Sequence, residues 1–139
     1  MKIMFKKGFT LIELLVVIAI IGILSSVVLA SLNTARGKGA NAAVKSNLNN
    51  IRAQAEIYYD TNGNYTAVCS DPNMTKGLDA ASQAGAGNTT SDVCNGASAA
   101  WAGSAPLKVA EGTSNYWCVD STGTSKGEAA ALGAATVCA

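Results

Sequence analysis

The chain has 139 residues, 49% of them apolar and 14% charged, with a formal net charge of +1. That size holds at most one compact domain, and the near balance of Lys/Arg against Asp/Glu excludes a strongly basic nucleic-acid module and an acidic solvating tail alike. Histidine is absent, which removes Ser-His-Asp and Cys-His catalysis, imidazole metal sites and imidazole pH switches together. No nucleophile, base and orienter can be assembled from the Ser, Asp and Lys present with any spacing signal, so an enzyme is disfavoured.

The amino terminus is basic, with Lys2, Lys6 and Lys7 ending at Gly8, and an apolar run starts immediately afterwards. Leu14 to Leu32 carries Leu, Val and Ile at most positions, and no charge follows Glu13 until Arg36. As a helix this segment covers roughly 30 Å, the thickness of a bilayer's hydrocarbon core. An ordinary secretory signal places its cleavage site after the apolar run, and no A-x-A site precedes a mature domain in this chain. Glu13 stands out because a carboxylate at bilayer centre costs on the order of 2.5 to 3.5 kcal/mol and calls for a partner. Gly22, Ser26 and Ala30 make a small-residue stripe at four-residue spacing, which suits close helix packing and incidental packing equally.

The run Lys6-Lys7-Gly8-Phe9-Thr10-Leu11-Ile12-Glu13, followed by Leu14-Leu15-Val16-Val17-Ile18, resembles the class III signal of type IV pilins and pseudopilins. The resemblance is specific over residues 6–32 and looser as far as Tyr65. It implies that a prepilin peptidase cuts between Gly8 and Phe9 and methylates the new amino group on Phe9. The leader lysines would first orient the span by the positive-inside rule. Removing those three from the ten Lys/Arg, against nine acids, leaves the mature chain at a formal −2.

In the family, the glutamate corresponding to Glu13 is held to pair with the amino terminus of the preceding subunit, so Glu13 and Phe9 are the expected assembly residues. The resemblance further implies an α+β pilin fold: a long N-terminal helix, membrane-spanning in its first half, packed on a small C-terminal antiparallel sheet. The implied partners are further copies of the chain in a helical homopolymer, the prepilin peptidase, the pilus or secretion assembly machinery and, before assembly, the membrane. No cofactor, metal or sequence-specific nucleic acid is implied. The implied function is that of a pilin in an extracellular filament serving adhesion, motility or DNA uptake, starting as a single-pass inner-membrane precursor. The alternative is a pseudopilin of a type II secretion system, in a short periplasmic filament that drives export. Major pseudopilins usually bind calcium in a C-terminal loop; Asp120 is the only acid between Ser114 and Thr124, which favours the pilin.

Beyond the span, Ala42, Val44, Leu48, Ile51, Ala55 and Tyr58 recur at three- and four-residue steps, so the helix is expected to continue to about Asp60. Gly37 and Gly39 predict a bend or melted stretch around Arg36 to Ala40. Many family members have a proline where this chain has Ala30, so no weak point is expected there. Asp60-Thr61-Asn62-Gly63-Asn64-Tyr65 supplies the turn chemistry that stops a helix. The same stretch superficially matches a calcium loop, but Tyr65 stands where that loop needs Gly and Asp71 replaces its bidentate Glu.

Val68 to Ser104 is poor in large residues and reads as a loop region, with a turn at Asp71-Pro72-Asn73 and a short helix over Ala80 to Gly87. Sequons occur at Asn64, Asn73 and Asn88. Strands are predicted at Leu107 to Glu111, Ser114 to Asp120 and Lys126 to Ala130, in a three- or four-stranded antiparallel sheet packing Trp101, Trp117, Leu107 and Val109 on the helix. The four cysteines allow three pairings. Without a CxxC they favour disulfides over zinc, and the expected bridges are Cys69–Cys94 and Cys118–Cys138, each closing a short loop worth on the order of 3 kcal/mol. The segments are thus a removable leader (1–8), a membrane or filament-core half-helix (9–35), an amphipathic half-helix (36–60) and a small globular head (61–139).

The mature chain is expected to begin at methylated Phe9, and intact-mass spectrometry checks it. A chain starting at Met1, or cut beyond the apolar run, contradicts the class III reading. Gly8→Val is expected to leave uncleaved precursor, because a branched side chain crowds a cleavage site that accepts the smallest residue.

Overall fold

The computed structural model describes residues 8–139; Lys2, Lys6 and Lys7 of the expected leader lie outside the described residues. The chain forms two compact units that divide between Ala35 and Arg36. Helix α1, Leu11–Asn62, is a single element. Up to Arg36 every described residue is exposed, including the large apolar side chains from Phe9 to Leu32. By length and composition this apolar part of the helix is long enough to cross a membrane.

From Gly37 the helix becomes one-sided. Gly37, Asn41, Val44, Leu48, Ile51 and Ala55 are its buried residues, spaced at three and four as an amphipathic face requires. It ends at Gly63, whose positive φ of 71° reverses the chain at no Cβ cost while its N–H donates to the Tyr59 carbonyl at 2.7 Å. The expected stop at Asp60 to Tyr65 is borne out. The melted stretch expected around Arg36 to Ala40 is absent: these residues are helical. Gly37 serves close approach instead, since a Cβ on it would lie 2.7 Å from Val109 Cγ1.

A 3₁₀ turn, Val68–Ser70, leads to helix α2, Pro72–Ala86. This 15-residue helix corrects the loop expected over most of that stretch. Its ends follow ordinary capping chemistry: Asp71 accepts from the N–H groups of Asn73 (2.8 Å) and Met74 (3.3 Å), Pro72 sits in the first turn, and Gly87 closes the helix at φ 82°. Met74, Leu78 and Ala81 form its buried stripe, and Gly85 lets its backbone approach the Pro106 carbonyl where any Cβ would collide.

Four strands follow as an antiparallel meander: β1 Val93–Gly96, β2 Trp101–Glu111, β3 Ser114–Asp120 and β4 Ser125–Glu128, in the order β1-β2-β3-β4. Of the expected strands β3 has its predicted limits, β2 begins six residues earlier than Leu107, β4 is shorter and starts at Ser125, and β1 was not expected. Trp101, Leu107, Ala105 and Val119 join the helix residues in the core, and Trp117 packs at its margin. Val109 remains 40% exposed despite its contact with Gly37. The bridges Cys69–Cys94 and Cys118–Cys138, with Cα separations of 5.7 and 5.9 Å, tie the 3₁₀ turn to β1 and the C-terminal tail to β3 as expected.

The β2–β3 register shifts between Pro106 and Glu111, and proline has no N–H to extend a ladder. The unpaired backbone there is completed by buried Asn41 of α1. Its Oδ1 accepts from Lys108 N (2.8 Å) and Val109 N (3.2 Å), and its Nδ2 donates to the Val109 carbonyl (2.7 Å) and Glu111 Oε1 (3.0 Å). Asn41→Ala is expected to cost about 2 to 4 kcal/mol, because buried donors and an acceptor lose their partners at once. Urea unfolding of the full chain in detergent, followed by fluorescence of Trp101 and Trp117, measures it. Asn41→Leu should be no better, since shape is restored without hydrogen bonds.

Candidate functional site

Gly8, Phe9 and Thr10 precede α1 in non-helical, exposed backbone, so the Gly8–Phe9 peptide bond is accessible. One turn on, Glu13 is not left alone. Its Oε2 accepts from Thr10 N and from Thr10 Oγ1, each at 2.8 Å, while Glu13 N donates to Thr10 Oγ1 at 3.2 Å. Thr10-x-x-Glu13 is a capping box, which satisfies donors that the first helical turn cannot and places an anion at the positive end of the helix dipole. The S/T-x-x-E spacing signals this in the sequence, and reading Glu13 for its charge alone missed it. Only Oε2 of Glu13 is engaged among the described residues.

The small-residue stripe Gly22, Ser26 and Ala30 lies in the exposed part of α1, where Ser26 Oγ donates to the Ile23 carbonyl at 2.8 Å. At the far end, the residues of the superficial calcium loop are spent on turn chemistry. Asn62 Nδ2 donates to the Tyr58 carbonyl, and Asn64 Oδ1 accepts from Thr66 N. Tyr65 donates its hydroxyl to Glu56 (3.0 Å). Burial, helped by that hydrogen bond, pushes Tyr65 up to about 12. Asn88 binds Thr90 and Ser91 locally, and Asn73 is exposed in the first turn of α2.

Asp120 ends β3 and is buried. Its Oδ1 accepts from Thr122 N (2.9 Å), Thr122 Oγ1 (2.7 Å) and Thr124 N (3.1 Å), and its Oδ2 from Cys138 N (2.9 Å). Burial acts to raise its pKa, but these donors outweigh it and hold the carboxyl below the ordinary aspartate value. Both oxygens are thus occupied, and the carboxylate and the Cys118–Cys138 bridge pin the tail together. Among the described residues no group of three or more Cys, Asp or Glu converges to hold a metal.

The fold and the amino-terminal geometry define a disulfide-stapled α+β protein with an accessible Gly-Phe junction ahead of one long apolar helix segment. Residues 3–29 match the model of the prokaryotic N-terminal methylation motif. The chain is also 46% identical over 61 residues to the type IV wide pilus major component PilA4 of Thermus thermophilus. Over these stretches the chain is similar to the methylation motif and to a type IV pilus component. The match covers 44% of this chain and 47% of PilA4, so the chain spans about half the length of that relative. No solved structure matches it.

Because Asp120 has its pKa lowered on folding, the stability it contributes is present above the ordinary aspartate pKa of about 3.9 and is lost as pH falls below it. Asp92, raised first by burial and then by the nearby Asp79 charge, runs the other way, so the two must be separated by mutation. Asp120→Asn is expected to unfold at lower urea than the parent at pH 7, since an amide nitrogen cannot accept from Cys138 N, and to lose less on going to pH 3. Equal acid sensitivity in both chains contradicts this role.

Proposed function

We propose that the chain is a pilin, processed to Phe9 and polymerised through the apolar part of α1 into an extracellular filament for adhesion, motility or DNA uptake. The observation that carries this reading is the apolar segment itself: its side chains are exposed on every side of the helix, and it starts directly after the accessible Gly8–Phe9 junction. It is long and apolar enough to cross a membrane by length and composition. A precursor held by it in the inner membrane, cut by the prepilin peptidase and delivered to the assembly machinery, moves from lipid into a bundle of identical helices. Both settings satisfy an all-apolar surface.

Glu13 supplies the register. Oε2 stays with Thr10 while Oε1 faces the Phe9 amine of a neighbouring copy, so capping and pairing do not compete for one atom. The engaged state of Asp120 supports the pilin over a calcium-dependent pseudopilin, because a cation would have to displace hydrogen-bond donors from both of its oxygens.

Glu13→Gln tests this with little disturbance to the cap, since an amide oxygen still accepts from Thr10 but carries no charge. The expected result is processed, membrane-resident subunit at normal abundance and few or no fibres in the sheared fraction. Glu13→Leu should insert more readily and assemble no better. Normal fibre yield from both variants rejects the role of the carboxylate, and electron micrographs of sheared material from the unmodified chain showing no fibres reject the pilin reading.

A further inference from the structure

Within Arg36 to Asn62, helix α1 carries its charges in blocks. Arg36, Lys38, Lys45 and Arg52 come first without an intervening acid, and Glu56 and Asp60 follow without another base. At 100° per residue, Lys38, Lys45, Arg52, Glu56 and Asp60 fall within an arc of about 80°, along one edge of the buried face. The edge is therefore positive at one end and negative at the other.

The middle of this stripe is used inside the subunit. Lys45 Nζ pairs with Glu111 Oε2 at 2.6 Å and lies 4.3 Å from the Trp117 ring. The Arg52 guanidinium sits beside the turn between β3 and β4 at Gly123. The ends enter no described ion pair: Lys38, Glu56 and Asp60 are exposed, and the described ion pairs are Lys45–Glu111 and Lys126–Glu128. Glu56 accepts one hydrogen bond, from Tyr65.

Resting on the pilin reading, we propose that these ends are the two halves of a contact between copies of this chain, Lys38 of one facing Asp60 and Glu56 of another. Lys38 and Asp60 are 22 residues apart in sequence, about 33 Å along a helix, and Glu56 is about 27 Å away. They cannot meet within one subunit. A parallel copy displaced along the helix axis by that distance brings them opposite. The offset is several times the roughly 6 Å implied by the four-residue spacing of Phe9 and Glu13, so the contact links copies several steps apart rather than consecutive ones. Each copy offers one half at each end, a heterologous contact that propagates without closing, as a filament requires. An exposed ion pair is weak singly; repeated at every copy, it selects the stagger and disfavours others by like-charge repulsion.

The occupant is a second copy rather than an anionic lipid headgroup, because headgroups would engage Lys38 and leave the acidic end without a role. The test is charge reversal in the full chain, with fibre yield measured against membrane-resident subunit. Lys38→Glu and Asp60→Lys are each expected to lower fibre yield at least about fivefold at unchanged subunit abundance, and the double variant to return to within about twofold of the parent. Parental yield from either single variant, or a double variant no better than the singles, overturns the pairing. A fall with Lys38→Glu alone overturns it in favour of a headgroup contact. If the unmodified chain forms no fibres, the pilin reading fails and this inference with it; if it forms them and the reversals are silent, this inference fails alone.

Discussion

One helix has to suit two surroundings, and most of the chain's other features answer that constraint. Before Arg36 the helix needs an apolar surface all the way round; from Gly37 it needs one buried face and one wet one. The change is made by sequence alone, without a break in the backbone. Gly37 is the first buried residue after a run of exposed ones, and Asn41, one turn later, fixes β2 to the helix through hydrogen bonds to its backbone and to Glu111. A polar side chain can do this in a core only because nearly every group it meets is unpaired without it. The register shift of β2 and the buried amide therefore explain each other.

The helix contributes few large residues to the core: Val44, Leu48 and Ile51, with Ala55. A head this small buries too little apolar surface to offset chain entropy with much to spare. The chain supplements it by close backbone approach and by covalent closure. Gly85 brings α2 against the Pro106 carbonyl, and each disulfide removes roughly 3 kcal/mol of entropy from the unfolded chain. Asp120 completes the second closure by holding Cys138 N as the disulfide holds Cys138 Sγ. The tail is thereby tied to β3 through both backbone and side chain.

Features governed by local chemistry were legible in the sequence. The apolar span, the stop at Gly63, the limits of β3 and both disulfide pairings follow from periodicity, turn residues and loop length. Helix α2 was missed although Asp71-Pro72 and Gly87 mark its ends, because its Ala, Gly and Ser content looks like a loop and its stripe of Met74, Leu78 and Ala81 is thin. The capping box was missed because the charge of Glu13 drew attention from its spacing to Thr10. Gly37 and Asn41 were of a different kind. Their roles depend on Val109, Lys108 and Glu111, some 70 residues away, and no local pattern announces such pairs.

The all-apolar surface that makes the span legible also limits what it can do in assembly. Lipid tails are as apolar as leucine, so moving Leu14 to Leu32 from bilayer to bundle gains almost nothing from the hydrophobic effect. Direction and register must come from groups that lipid does not satisfy or that lie beyond it. In the proposed filament these are the second oxygen of Glu13 with the Phe9 amine at one end, and Lys38 with Asp60 where the helix meets water. Each is weak or expensive alone. Because Glu13 already has one oxygen held by Thr10, its carboxylate is oriented before a neighbour arrives, and little side-chain freedom remains to be lost on pairing. In that proposed filament, pre-orientation at the capped helix start is what lets a single charge in an otherwise featureless apolar segment set the position of the next subunit.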